Sequence, residues 1–132
     1  MFNRHRILLA MSADGGGHQF CRDVHAYGGE PLGPVTAVAE ALDLLGRATA
    51  DGAIVDEYLR DGAVTPLVLS LWERALPFVL LQTSPLTLNL GERHRPLRVL
   101  WAWTSPFQVI RELEAEMECA AQVADKEKPS LQ

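Results

Sequence analysis

Cysteine is scarce. Cys21 and Cys119 are the only two in 132 residues, and their spacing is neither close nor paired. That excludes a disulfide scaffold and a cysteine-based metal framework, and it reads as reduced thiols in a cytoplasmic protein. Positive charge is short as well. Twelve Lys and Arg against 17 Asp and Glu leave a formal net charge of -5, which argues against a nucleic-acid-binding surface. Long apolar runs are missing, so no stretch is expected to span a membrane. The start, MFNRHRILLAM, has the basic opening and apolar run of a signal peptide. The run is too short, however, and a polar, Gly-rich stretch follows it with no small-residue cleavage pattern. A first strand is the better expectation.

What remains is ordinary globular composition, 48% hydrophobic and 22% charged. The length predicts one domain, residues 1–124, followed by a polar tail over 125–132. Ile7 to Met11 is wholly apolar, as in a strand buried on both faces. Phe20, Cys21, Val24 and Tyr27 fall at helical spacing, and Gly28-Gly29 stops that helix. Glu30 to Val35 reads as a weak strand, and Pro31 and Pro34 place it at a sheet edge. Thr36 is expected to N-cap a helix carrying Val38, Ala41, Leu42, Leu44 and Leu45 on its apolar face. Asp51 to Asp56 is a strand, Arg60-Asp61-Gly62 a turn, and Thr65-Pro66 the start of a helix running to Leu76. Pro77 to Leu81 is a fourth strand and Leu97 to Trp103 a fifth, with an irregular loop or short helix between them. Ser105-Pro106 opens a last helix with an apolar stripe of Phe107, Val109, Ile110, Leu113 and Met117. Glu112, Glu114, Glu116 and Glu118 are expected on its solvated faces. Trp101 and Trp103 alternate on the fifth strand, and core packing beneath a helix is the expectation for both.

Strands alternating with helices imply a parallel sheet covered on both faces. With right-handed crossovers this is an α/β fold, a three-layer α/β/α sandwich whose five-stranded parallel sheet has the flavodoxin-like order 2-1-3-4-5. Strands one and three are then neighbours, and their carboxyl ends border one crevice. In open α/β sheets ligands bind at such a crevice. Asp56 closes the third strand there. Its surroundings must decide between a site residue and a turn former whose carboxylate bonds nearby N–H groups.

Three stretches carry a resemblance: GPVTAVAEALDLL (Gly33 to Leu45), DGAIVDEYL (Asp51 to Leu59) and VTPLVLSLWERALPFVLL (Val64 to Leu81). Over Arg6 to about Glu118 the chain resembles a receiver domain of two-component response regulators. The resemblance implies that Asp56 stands where the family's phosphoacceptor does. The phosphoryl donor would be a histidine kinase or a phosphotransfer protein, in the bacterial manner of such relays. The other family positions depart. The Mg²⁺-binding acidic pair at the end of strand one reads Met11 and Ser12, with Asp14 two residues late. The Thr or Ser at the end of strand four is Gln82 by counting, with Thr83 next. The Lys before Pro106 is Ser105. Asp56, Asp14 and the Tyr58 backbone carbonyl are the candidate metal ligands that remain. Gln82, Thr83 and Ser105 are the candidates around the phosphoryl position.

Phosphoryl transfer to a carboxylate needs charge neutralised on the equatorial oxygens, and Mg²⁺ binds hard oxygen ligands, normally carboxylates. Weak Mg²⁺ binding and slow or absent phosphorylation are therefore expected. This describes an atypical, non-enzymatic signalling module working through protein contacts, with a histidine kinase, a phosphotransfer protein or another regulator as partner. It also allows a homodimer through the strand-four, strand-five and last-helix face. No output domain is expected after Glu118. A second reading makes Asp14-Gly15-Gly16-Gly17-His18 an anion or nucleotide cradle at a helix N-terminus, although it lacks the ending of a P-loop and the spacing of a dinucleotide fingerprint. A third makes Asp56 the nucleophile or base of a small enzyme, without an evident partner base or oxyanion donor. His5, His18, His25 and His94 are scattered and predict no metal site.

Overall fold

The computed structural model of the protein describes residues 4–12, 16–83 and 98–127, with side chains as far as 120. The elements are β1 (Arg6–Ala10), α1 (Gly17–Ala26), β2 (Glu30–Val35), α2 (Val38–Arg47), β3 (Gly52–Asp56), β4 (Tyr58–Leu59), β5 (Gly62–Ala63), α3 (Thr65–Glu73), β6 (Phe78–Gln82), β7 (Arg98–Trp101) and α4 (Pro106–Glu127). β2, β1, β3, β6 and β7 lie side by side in that order, and every pairing is parallel. This is the expected 2-1-3-4-5 sheet. β4 and β5 form a separate antiparallel pair around Arg60-Asp61, a small hairpin that sequence reading had reduced to a turn.

The sheet divides the core because successive strand residues face opposite sides. On one side Leu8, Ala10, Ala53, Val55 and Leu80 pack with Val38, Ala41 and Leu45 of α2 and with Leu67, Val68 and Leu71 of α3. On the other, Ile7, Leu9, Met11, Ile54, Val79 and Leu81 meet Phe20 and Val24 of α1 and Val109, Ile110 and Leu113 of α4. Each fully buried Leu, Ile or Val contributes about 1.5–3 kcal/mol. The carboxyl ends of β1, β3 and β6 are held in register by these two layers.

Four local expectations are corrected. Thr36 does not cap α2. Ala37 is the N-cap residue and lends no side-chain bond. The cap comes instead from Asp61, whose carboxylate accepts the N–H groups of Val38 (2.7 Å) and Ala39 (3.1 Å). Thr36 Oγ1 accepts from Arg60 Nε, and Arg60 also pairs with Glu40. α3 stops at Glu73, not Leu76: Ala75 turns into the left-handed region (φ 53), and Leu76 N–H reaches back to the Leu71 carbonyl. β7 ends at Trp101, so Trp101 and Trp103 are not core. They are 40% and 70% exposed, as is half of Phe107 at the start of α4. Finally, the helix runs on to Glu127, past the expected start of the tail at Asp125.

The acidic face of α4 is more than solvated surface. Arg98 on the edge strand β7 bridges Glu112 (3.3 Å) and Glu116 (2.8 Å), fastening helix to strand. The irregular stretch between strands four and five lies, from residue 84 to 97, outside the described residues, together with His94.

Candidate functional site

Topology brings the end of β1 against the end of β3. Ala10 pairs with Val55, so the next residues up, Met11 and Ser12, flank Asp56. Ser12 N–H donates to Asp56 Oδ2 at 2.9 Å. A cleft of about 310 Å³ opens there, lined by Ser12, Asp56, Glu57, Tyr58, Leu81, Thr83 and Ala102. Burial pushes the Asp56 carboxyl above its ordinary value, against the pull of hydrogen bonds from the Ser12 backbone and side chain. A raised carboxyl is what burial produces when no cation lies close enough to offset desolvation.

Of the residues singled out from sequence, Asp56, Thr83 and Tyr58 line this cleft. Gln82 does not. Leu81 and Thr83 face the cleft, and the two-residue period sends Gln82 between them to the other side of the sheet. There its Oε1 is buried without a hydrogen-bond partner among the described residues. Ser105 lies elsewhere too. Its Oγ accepts the Gln108 N–H (3.3 Å) at the start of α4, and it lines a groove against α1. Asp14 is outside the described residues.

Two cleft residues have roles that no local sequence pattern signals. Ser12 matters as a backbone donor to Asp56, which follows from the register of β1 on β3. Glu57 is 2% exposed, with its N–H on the Leu81 carbonyl and its carbonyl accepting from Val64. Its burial had no signal beyond the apolar Leu59 and Val64 that close over the same loop.

Among the described residues the donor set does not fit Mg²⁺. Among the described residues no three His, Cys, Asp or Glu side chains converge on one point, and one Asp56 oxygen is already held by Ser12. A magnesium ion demands near-octahedral oxygen ligation and sheds its waters reluctantly, so no step is routed through one.

Gly16 and Gly17 have local reasons of their own. Gly16 adopts a left-handed φ of 83, and a Cβ on Gly17 would lie 3.0 Å from Pro34 Cβ. α1 thus starts flush against the β2 edge. Asp14 and Gly15 of the expected cradle lie outside the described residues.

No family model matches the sequence, and no curated protein matches it either. Solved structures do. SdrG from Sphingomonas melonis Fr1 is 24% identical, with a TM-score of 0.71 over 89% of this chain and 99% of that one. The chain has the receiver fold. The N-terminal domain of a response regulator/sensory box/GGDEF three-domain protein from Carboxydothermus hydrogenoformans superposes with a TM-score of 0.78 at 15% identity, covering 90% of this chain and 98% of that one. A CheY-like response regulator receiver domain from Methanospirillum hungatei JF-1 gives 0.75 at 14%, covering 89% and 97%. With a receiver fold, the Asp56 cleft lies at the sheet edge where β1 and β3 adjoin. No helix among the described residues is long and apolar enough to cross a membrane.

Proposed function

We propose that the chain is a non-enzymatic, receiver-like signalling module of a bacterial two-component network, that it works in the cytoplasm, and that it acts through protein contacts without Mg²⁺-assisted phosphorylation of Asp56. The observation that carries this reading is the Asp56 cleft, which holds a carboxylate at the phosphoacceptor position and, among the described residues, no cation in its lining. Thr83 is the cleft residue that stands where a phosphoryl oxygen would be met, and Gln82 and Ser105 take no part. The partner is a histidine kinase, a phosphotransfer protein or another regulator. Trp101 and Trp103 support a contact surface at β7 and α4. Their rings stack 4.8 Å apart, within 10° of parallel, in the open. Exposed aromatic groups of that size are costly to leave in water and are enriched at interfaces. A homodimer through the β6, β7 and α4 face is one form such a contact takes.

The test is Mg²⁺ with beryllofluoride or acetyl phosphate, read by tryptophan fluorescence and intact mass. The expected result is no saturable change and no added phosphoryl mass at millimolar Mg²⁺. A Mg²⁺-dependent change abolished by Asp56→Asn contradicts the reading and makes Asp14 the suspect ligand. Sedimentation of Trp103→Ser against the parent chain then decides between a homodimer and a different partner.

A further inference from the structure

Away from the Asp56 cleft, a groove of about 370 Å³ runs between α1 and the start of α4, lined by Gln19, Asp23, Tyr27, Ser105, Pro106 and Phe107. We propose that it is a binding site for an organic cation, an alkylated ammonium or a guanidinium group. Two features point there. Tyr27 and Phe107 both line it, with their rings 5.8 Å apart and tilted by 48°, and aromatic rings attract cations through the ring quadrupole. Asp23 adds a carboxylate to the lining. It accepts a hydrogen bond from the neutral amide of Gln19 at 3.1 Å, and among the described residues no ion pair to it is found. Asp23 also sits in the last turn of α1, where the helix dipole is negative and an acid is a local electrostatic liability. A cation in the groove turns that liability into an attraction.

The chain already shows the affinity of one ring for such a group. The Arg111 guanidinium lies 5.8 Å from the centroid of Phe107. Arg111 is not among the residues that line the groove. The positive charges nearby set the orientation. Arg111 and the N-terminal end of α4 disfavour a cation beside Ser105 and Pro106. The charge therefore rests at the α1 side, over Tyr27 and Asp23, with the ligand's apolar groups toward Pro106 and Phe107. A simple metal ion lacks those apolar groups and gains little there.

The experiment follows amide and side-chain NMR shifts of the whole chain during titration with tetramethylammonium chloride and with N-acetyl-arginine amide. Potassium chloride at matched ionic strength is the control. Saturable shifts at residues 19–27 and 105–111 are expected with both organic cations and not with potassium. Asp23→Asn, which keeps the Gln19 bond, is expected to weaken binding about three- to fivefold. Phe107→Leu, which keeps apolar bulk and removes the ring, is expected to weaken it by a similar factor. Both side chains are at the surface, and thermal melts confirm that the variants fold. The absence of saturable shifts, equal shifts with potassium, or binding indifferent to both substitutions overturns the proposal. A peptide with one central arginine separates the two sources of such a group. Tighter binding than the free amide assigns the cation to a partner protein, and equal binding assigns it to a small molecule.

Discussion

Asp56 and Asp61 are five residues apart and face opposite electrostatic situations. Asp56 is half-buried, with its carboxyl pushed up by desolvation. The folded chain therefore binds more protons than the unfolded one between the ordinary carboxylate value and the raised one. By linkage the contribution of Asp56 to stability is largest below the unfolded value and falls as pH rises through the folded one. An amide of the same shape still accepts the Ser12 N–H and carries no charge to desolvate. Asp56→Asn is thus expected to be more stable than the parent chain at neutral pH, with the difference closing as pH drops through the Asp56 transition. Chemical denaturation over a pH series measures this. A less stable variant at neutral pH means that the carboxylate meets a cation not accounted for here. Asp61 runs the other way. The N–H groups of Val38 and Ala39 hold its carboxyl below the usual range, so its contribution is full at neutral pH and is lost as pH falls through that lowered value. Asp61→Asn is expected to be less stable than the parent at neutral pH and to converge with it in acid.

At the scale of elements, the small hairpin β4–β5 explains why α2 could be located from sequence while its cap could not. The apolar spacing of Val38, Ala41 and Leu45 is a property of one helix and is visible in the chain. The cap is a contact between residues 23 apart in sequence, and no local rule selects Asp61 over Thr36. β7 failed for a related reason. Alternation of Trp101 and Trp103 is real, but the strand ends between them, and an edge strand has neighbours on one side only. The end of α3 illustrates a third kind of limit. Leu76 continues the apolar pattern and is part of the core layer around Trp72 and Phe78, yet the backbone has already left the helix at Ala75. A non-glycine residue in the left-handed region pays for it with roughly 1 kcal/mol. Ala75→Gly, at an exposed position, is expected to raise stability by about 1 kcal/mol at the most, seen as a higher urea midpoint at unchanged slope. A fall instead shows that the backbone entropy lost by glycine outweighs the relief of strain.

For the molecule as a whole, the sheet order was legible because it rests on many weak, redundant signals: four apolar strands and a weak edge strand, three helices between them and one after the last, and the handedness of the crossovers. The chemistry of the cleft rests on single side chains at strand ends, where each position is one signal without redundancy. That asymmetry makes the scaffold and the site separable, and a substitution can show it. Ser12 already touches Asp56 through its backbone N–H, which any residue retains. Ser12→Asp places a second carboxylate at the end of β1 without disturbing the layers below. In the absence of divalent ions the two like charges repel, and the variant is expected to melt below the parent. With Mg²⁺ the expectation reverses. The parent chain, with no fitting donor set among the described residues, is expected to melt at the same temperature with and without Mg²⁺. The variant is expected to gain about 1 kcal/mol when the ion exceeds its dissociation constant about fivefold. Differential scanning calorimetry of both chains with Mg²⁺ and with EDTA makes the comparison, and Ser12→Asn controls for the change in side-chain size. A parent melting temperature that climbs with Mg²⁺ shows a working metal site and defeats the phosphorylation-independent reading. A variant that stays indifferent to Mg²⁺ shows that the cleft needs more than one restored acid, and directs the next substitution to Met11 beside it.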